Sequence, residues 1–207
     1  EYPNFNIVGE CWTRPAPAVA YWQSGVKNYN GFDSHLKTVM DFPVEEAIRQ
    51  ALETDGRGWG NGMTRVYDAV AMDYLYADVN NIMIMLGNHD MDRIADVVKD
   101  QDPRRVKLAN TLLATMRGIP QVFYGDEYAM KSADRRLGPS TLRMPLPLGE
   151  AVTAEMQDMF DYQSRLFQWR KGEEVIHTGR TMHFMSRDNT YAFFRYNDNE
   201  AVFVFAN

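Results

Sequence analysis

Two segments of this chain lead into acidic residues that could carry out acid–base chemistry as a pair. Residues 82–86 are all apolar and are soon followed by residues 88–90, Asn-His-Asp, while residues 5–9 lead into Glu10. Short continuous apolar runs are typical of strands buried on both faces, and parallel α/β proteins bind ligands at the carboxyl ends of such strands. We therefore expect Glu10 and Asp90 to act on one substrate.

Each of these polar residues also has a structural interpretation. Glu10 could be the salt-bridged end of a strand, which is a common reason for an acid in that position. Asn88 and Asp90 could cap the next helix, but that interpretation leaves His89 unexplained. Arg93 would either hold Asp90 in place or lie on the surface, and the sequence does not separate these alternatives.

Other candidate residues near the predicted strand ends have weaker signals. Asp41, Asp126 and Glu127 follow predicted strands, and we expect structural roles for them because most such acids orient loops. The Trp12 ring could stack on a ligand, although a Trp packs more often in a core. His35 and His177 have no partners at metal-ligand spacing and the single cysteine, Cys11, is alone, so no metal site is predicted.

Composition excludes several classes of protein. The chain has 207 residues, 45% of them hydrophobic, and a net charge of −6, which argues against a nucleic-acid partner. No apolar run approaches the roughly 18–20 residues of a membrane span, and the first residues lack the features of a signal peptide. A single cysteine excludes an internal disulfide, so the periplasm, the cell exterior and the cytoplasm all stay open.

Strand and helix patterns alternate along most of the chain. Apolar segments bounded by Pro and Gly predict four strands, and helical spacing of apolar residues predicts the helices between them. The predicted strands are 5–12, 36–42, 82–86 and 120–124; a loop with a short helix is predicted at 15–25, and helices are predicted at 44–53, 64–76, 103–117 and 153–171. Such alternation predicts parallel strands covered by helices. Three antiparallel strands are then predicted at 174–186, 190–196 and 201–206.

The four strand ends resemble motifs of the α-amylase superfamily, glycoside hydrolase family 13, and most of all its neopullulanase and cyclomaltodextrinase-like members. Residues 8–12 (Val-Gly-Glu-Cys-Trp) resemble the fifth-strand motif, and residues 86–93 (Leu-Gly-Asn-His-Asp-Met-Asp-Arg) resemble the seventh-strand motif. Residues 39–43 resemble the sixth strand, and residues 118–127 resemble the eighth. Four motifs in the family's order form a specific resemblance over nearly the whole chain.

The resemblance implies an α/β fold in two parts. Residues 1–172 would be the C-terminal half of a TIM (β/α)8 barrel, and residues 173–207 would begin an antiparallel β domain, a truncated β-sandwich. Half a barrel leaves two open sheet edges. We expect these edges to meet the N-terminal half of the barrel or to drive self-association.

The implied activity is retaining hydrolysis of α-1,4-glucosidic bonds in starch-derived oligosaccharides. Glu10 corresponds to the family's general acid/base, and Asp90 to the acid that stabilises the transition state. The predicted substrate-binding residues are His89, Asn88, Arg93 and Trp12. Retaining cleavage needs two carboxyl groups about 5–5.5 Å apart, and we expect burial beside Trp12 to favour the protonated form of Glu10.

Departures from the family pattern limit this inference. The nucleophile lies in a Gly-Phe-Arg-x-Asp segment at the fourth strand, and neither this segment nor the third-strand Asp-x-x-x-x-Asn-His motif is in the sequence. We therefore expect the chain alone to be inactive, or to be a catalytically silent fragment or a sugar-binding scaffold. Residues 142–149 replace a typical Asp-Phe-Pro-Gly-Gly-Trp stretch, so no substrate contact is assigned to this loop.

Cofactors and reaction outcome are not determined by these motifs. No cofactor is identifiable in the sequence, and the resemblance allows calcium in the N-terminal half of the barrel. Hydrolysis and transglycosylation use the same two carboxyl groups, so both stay open. The expected substrate is an α-glucan or a maltooligosaccharide.

Overall fold

The computed structural model describes residues 5–207, so residues 1–4 of the predicted barrel segment lie outside it. Four short strands lie parallel in chain order, and they are β1 (Val8–Gly9), β2 (Thr38–Val39), β3 (Met83–Met85) and β4 (Ile119–Gln121). A bridge between Met40 and Met83 joins the two pairs of strands. The parallel order predicted from the sequence is confirmed.

The strands are shorter than the sequence pattern predicted. The predicted strand 36–42 is wrong at its end, because Phe42 already begins a helix. The Asp41 side chain accepts the N–H of Val44, and Pro43 lies in the first turn, so a helix N-terminus is favoured there. The prediction 5–12 likewise contracts to β1.

Helices follow these strands and cover the sheet. Their bounds are α1 (Ala16–Ala20), α2 (Phe42–Glu53), α3 (Met63–Val70), α4 (Ile94–Val97), α5 (Pro103–Thr115) and α6 (Ala154–Gly172). The predicted helix 64–76 is interrupted, because α3 ends at Val70 and a separate 3-10 turn covers Asp73–Leu75. The segment between β4 and α6 contains only 3-10 turns and extended chain.

The C-terminal part forms an antiparallel sheet after one more helix. The predicted strand 174–186 is wrong at its start, because Glu174–Thr178 is a helix, α7. The strands are β5 (Arg180–Arg187), β6 (Thr190–Tyr196) and β7 (Ala201–Ala206), paired in chain order. Asp188 and Asn189 form the β5–β6 turn with positive φ, which Asp and Asn tolerate better than most residues.

One hydrophobic core connects the helices to the C-terminal sheet. Val66 of α3, Leu112 of α5, and Tyr191 and Phe193 of β6 belong to the same cluster of buried side chains. The domain boundary at 172 and 173 therefore stays a prediction, because buried contacts cross it. No helix within residues 5–207 is both long enough and apolar enough to cross a membrane.

Candidate active site

The carboxyl ends of the parallel strands bring the predicted acids to one edge of the sheet. Glu10 directly follows β1, Asp41 follows β2, and Asp90 lies five residues beyond the end of β3. Because β2 lies between β1 and β3, the segments that carry Glu10 and Asp90 flank a common strand. The joint action of Glu10 and Asp90 on one substrate stays a prediction.

Asp90 is contacted by residues that precede it in the chain and by a residue that follows much later. Its backbone N–H donates to Asn88 Oδ1 at 2.9 Å, and His89 Nε2 lies 3.2 Å from its Oδ2. Arg143 Nη2 donates to Oδ1 at 2.8 Å, although it comes from the loop between β4 and α6. The Asp90 carboxylate is therefore flanked by His89 at one oxygen and by Arg143 at the other.

Asn88 is buried at the start of this turn. Its Oδ1 accepts the Asp90 N–H, but its Nδ2 has no hydrogen-bond partner among residues 5–207. A buried donor without an acceptor is costly, and such groups in native proteins call for a water or ligand partner. His89 is exposed beside it, and the predicted substrate-binding roles of both residues stay predictions.

Glu10 and Trp12 are less enclosed than the sequence analysis expected. Glu10 is exposed and makes no hydrogen bond or ion pair within residues 5–207, so the predicted burial beside Trp12 is wrong for this part of the chain. Trp12 stacks on Phe42 with ring centroids 5.3 Å apart, and 55% of it remains exposed. Trp12 and Asp90 line one cavity of about 270 Å³.

Arg93 follows neither of the two alternatives drawn from the sequence. It is only 1% exposed and pairs with Asp126 at 2.9 Å, not with Asp90. Its guanidinium also donates to the carbonyls of Tyr124 and Leu142. Arg93 therefore connects the loop after β3 to the loop after β4 and to Leu142. Its predicted direct contact with substrate has no support from this geometry.

The other strand-end acids have the structural contacts expected of them. Asp41 caps α2 and pairs with Arg117 at 2.5 Å, and Arg117 also pairs with Asp73. Burial raises the pKa of Asp41, and Arg117 opposes that shift. Burial likewise raises the pKa of Asp126 to about 7, with Arg93 opposing it.

Two residues at this edge were missed by the sequence analysis. Arg143 carries no spacing signal, because it is a single cation in an irregular loop far along the chain from Asp90. Glu45 lies in the first turn of α2 and lines the cavity that Trp12 and Asp90 share. Burial raises the pKa of Glu45 to about 8, despite Arg49 Nη1 at 3.4 Å from its carboxylate. An acid in a helix's first turn reads as an ordinary dipole partner, so its burial was not predictable.

Metal ligands do not converge in the described part of the chain. Among residues 5–207, no group of three or more His, Cys, Asp or Glu side chains is arranged to hold a metal ion. The expectation of calcium in an N-terminal half concerns residues outside this sequence and stays a prediction.

Comparison with known sequences finds a matching family model and related proteins. The family model described as Alpha amylase, catalytic domain, matches residues 1–204. An alpha-amylase from Niallia circulans is 28% identical over 167 residues, which are 80% of this chain and 29% of that protein. A cyclomaltodextrin glucanotransferase from Geobacillus stearothermophilus is 31% identical over 93 residues, which are 45% of this chain and 12% of that protein.

Solved structures show the same fold. The crystal structure of alpha-amylase from Geobacillus thermoleovorans, complexed with acarbose, superposes with a TM-score of 0.77 at 23% identity. The match covers 99% of this chain and 42% of that one. The predicted fold, part of an α/β barrel followed by antiparallel strands, is confirmed, and the chain spans less than half the length of each of these relatives.

Proposed function

The chain belongs to the alpha-amylase catalytic domain family, and we propose that its strand ends form part of the active site of a retaining α-glucan hydrolase. The bond cleaved would be an α-1,4-glucosidic bond in a starch-derived oligosaccharide. The observation that supports this proposal best is the placement of Asp90. Its carboxylate is contacted by His89 and Arg143, its backbone N–H donates to Asn88, and Asp90 lines a cavity with the exposed Trp12 ring.

The proposed roles follow from what each group can do. Glu10 donates its proton to the glycosidic oxygen as the bond to the leaving sugar breaks, and its carboxylate then takes a proton from the attacking water. Asp90 favours the positive charge that develops on the sugar ring in the transition state. His89 and Asn88 bind hydroxyls of the same sugar, and Trp12 stacks on a neighbouring ring.

The proposal assigns the attacking carboxylate to a segment outside these 207 residues. Asp41 is the nearest alternative by position, but it is buried, caps α2 and is paired with Arg117. A carboxylate engaged in this way is not free to attack an anomeric carbon. We further propose that the open edges at β1 and β4 meet the N-terminal half of a barrel or a second copy of this chain.

A catalytically silent sugar-binding domain is the second candidate. Within residues 5–207 Glu10 is exposed and has no hydrogen-bond or ion-pair partner, which favours this candidate, because a catalytic site usually encloses its reacting groups away from water. In that case the Asp90 turn and Trp12 would bind α-glucan without cleaving it. Both candidates predict binding of α-linked glucan, and they differ in catalysis.

The test is binding and cleavage of maltoheptaose by the purified chain. We expect calorimetric titration to detect maltoheptaose but not the β-linked cellohexaose, and Asp90→Asn to weaken binding roughly tenfold, about 1.4 kcal/mol. Asp68→Asn, an exposed carboxylate on α3, serves as the matched control. Equal binding of both glucans, or of wild type and Asp90→Asn, would overturn the proposed site.

Release of reducing sugar from the same maltoheptaose tests the assignment of the nucleophile. We expect none from this chain alone. Cleavage that Glu10→Gln abolishes would place the attacking carboxylate within these residues, and cleavage that Glu10→Gln leaves unchanged would remove Glu10 from its proposed role.

A further inference from the structure

The loop between β4 and α6 supplies a cation to the proposed site. Arg143 lies in this loop, and its Nη2 donates to Asp90 Oδ1 at 2.8 Å. The contact joins two charged groups that are both partly shielded, since 46% of the Arg143 side chain and 35% of the Asp90 side chain are exposed. A charge-assisted bond of this length is among the stronger side-chain contacts.

The backbone on both sides of Arg143 is fixed. The Leu142 carbonyl accepts two bonds from Arg93, at 2.8 and 3.1 Å, and Leu142 itself is buried. The Met144 carbonyl accepts the Tyr124 hydroxyl at 3.0 Å. Because both neighbours are tied to the β3 and β4 loops, the Arg143 side chain projects from a braced position and not from a free loop.

The two oxygens of Asp90 have different neighbours. Arg143 donates to Oδ1 at 2.8 Å, while the exposed His89 has its Nε2 3.2 Å from Oδ2. Resting on the proposed function, we propose that Arg143 is a positioning residue that holds the Asp90 carboxylate by Oδ1, so that Oδ2 faces the sugar. The buried Arg93 supports this arrangement indirectly, by fixing the segment that carries Arg143.

A double-mutant cycle in maltoheptaose binding tests the inference. Arg143→Met is expected to weaken binding about three- to tenfold in the wild-type chain and to have no effect in the Asp90→Asn background. Arg143→Lys should recover part of the loss, because it keeps the charge but not the planar guanidinium. Arg136→Met is the matched control, since Arg136 lies in the same segment and pairs with Asp134.

The outcomes separate this inference from a merely structural role. If Arg143→Met weakens binding by the same factor with and without Asp90, Arg143 acts by folding the loop, and the inference is overturned. No effect in the wild-type chain would overturn it as well.

A second readout separates it from the proposed function. If the wild-type chain fails to bind maltoheptaose, the proposed function fails, and the same cycle is measured by urea unfolding. Non-additive losses of stability would then support the hold of Arg143 on Asp90, and additive losses would overturn it.

Discussion

At this edge, Glu45 has a pKa well above the ordinary value for a glutamate. Its side chain is buried in the first turn of α2, and burial raises its pKa to about 8, although Arg49 and Arg14 act in the opposite direction. Glu46 adds a second negative charge nearby. A carboxyl group that stays protonated near neutral pH makes the stability of the fold depend on pH.

We predict that stability falls as pH rises from about 4.5 to about 8. In this window the folded chain keeps a proton on Glu45 that the unfolded chain has released, so the contribution of Glu45 to the slope is negative, at most about 1.4 kcal/mol per pH unit. The raised pKa of Asp126 adds a contribution of the same sign up to about pH 7, which Glu45→Gln leaves in place. Glu45→Gln should flatten the decline, as measured by urea unfolding at several pH values. Glu53→Gln, at the exposed end of the same helix, is the control. An unchanged slope in Glu45→Gln would contradict the prediction.

At the scale of elements, α3 begins with a contact from a distant turn. Its preceding residue is Gly62, which has no side chain to cap the helix. Asn189, in the β5–β6 turn 126 residues later, instead accepts the N–H of Met63 through Oδ1 at 3.0 Å. The turn therefore satisfies a donor that would otherwise be unpaired at the helix start.

We predict that Asn189→Gly lowers the free energy of unfolding by about 1 kcal/mol more than Asp188→Gly does. Both positions have positive φ, so glycine fits each backbone equally well, and the difference reports the lost cap. Asn189→Asp keeps an oxygen acceptor and should be close to wild type. Equal losses for the two glycine variants in urea unfolding would show that the cap contributes nothing.

Sequence patterns predicted those elements that depend on residues close together in the chain. The four parallel strands, α5 and α6 follow from apolar spacing and from capping residues such as Asp102. The Asp41 cap was not predicted, because Asp41 lay inside the predicted strand 36–42. The bond between Arg143 and Asp90 joins residues 53 apart, and the cap between Asn189 and Met63 joins residues 126 apart. Pairs so far apart in the chain follow no regular sequence spacing, so only the folded structure identifies them.

The prediction of the strand 174–186 failed for a similar reason. The order of apolar and polar residues in 174–178 fits a strand and a helical turn equally well. The segment forms a helix in which Val175 and Ile176 are both fully buried. The burial of Arg93 was equally hidden, because its partners Tyr124, Asp126 and Leu142 lie 31 to 49 residues further along the chain. Sequence patterns thus placed Asp90 and Glu10 at one edge but could not give the supports around them.

At the scale of the whole molecule, large apolar side chains are exposed to solvent in two regions. Exposed side chains lie beside the β1 and β4 edges, including Phe5, Ile7 and Ile119. A second group covers the outer face of the C-terminal sheet, where Phe203 and Phe205 are exposed. Within residues 5–207, neither β1 nor β4 has a second neighbouring strand. Unpaired edges and apolar faces of this kind favour association.

We therefore predict that the purified chain associates at micromolar concentrations, and that Ile7→Lys raises the monomer fraction in sedimentation velocity. A lysine beside β1 places a charge where an apolar partner strand would have to pack. Tyr74→Lys, at an exposed aromatic in the 3-10 turn after α3, is the control. If Phe205→Lys raises the monomer fraction and Ile7→Lys does not, association uses the sheet face and not the open barrel edge. A monomer of 23.9 kDa that unfolds in one cooperative step would contradict both versions, because a stable isolated chain would need no partner at either surface.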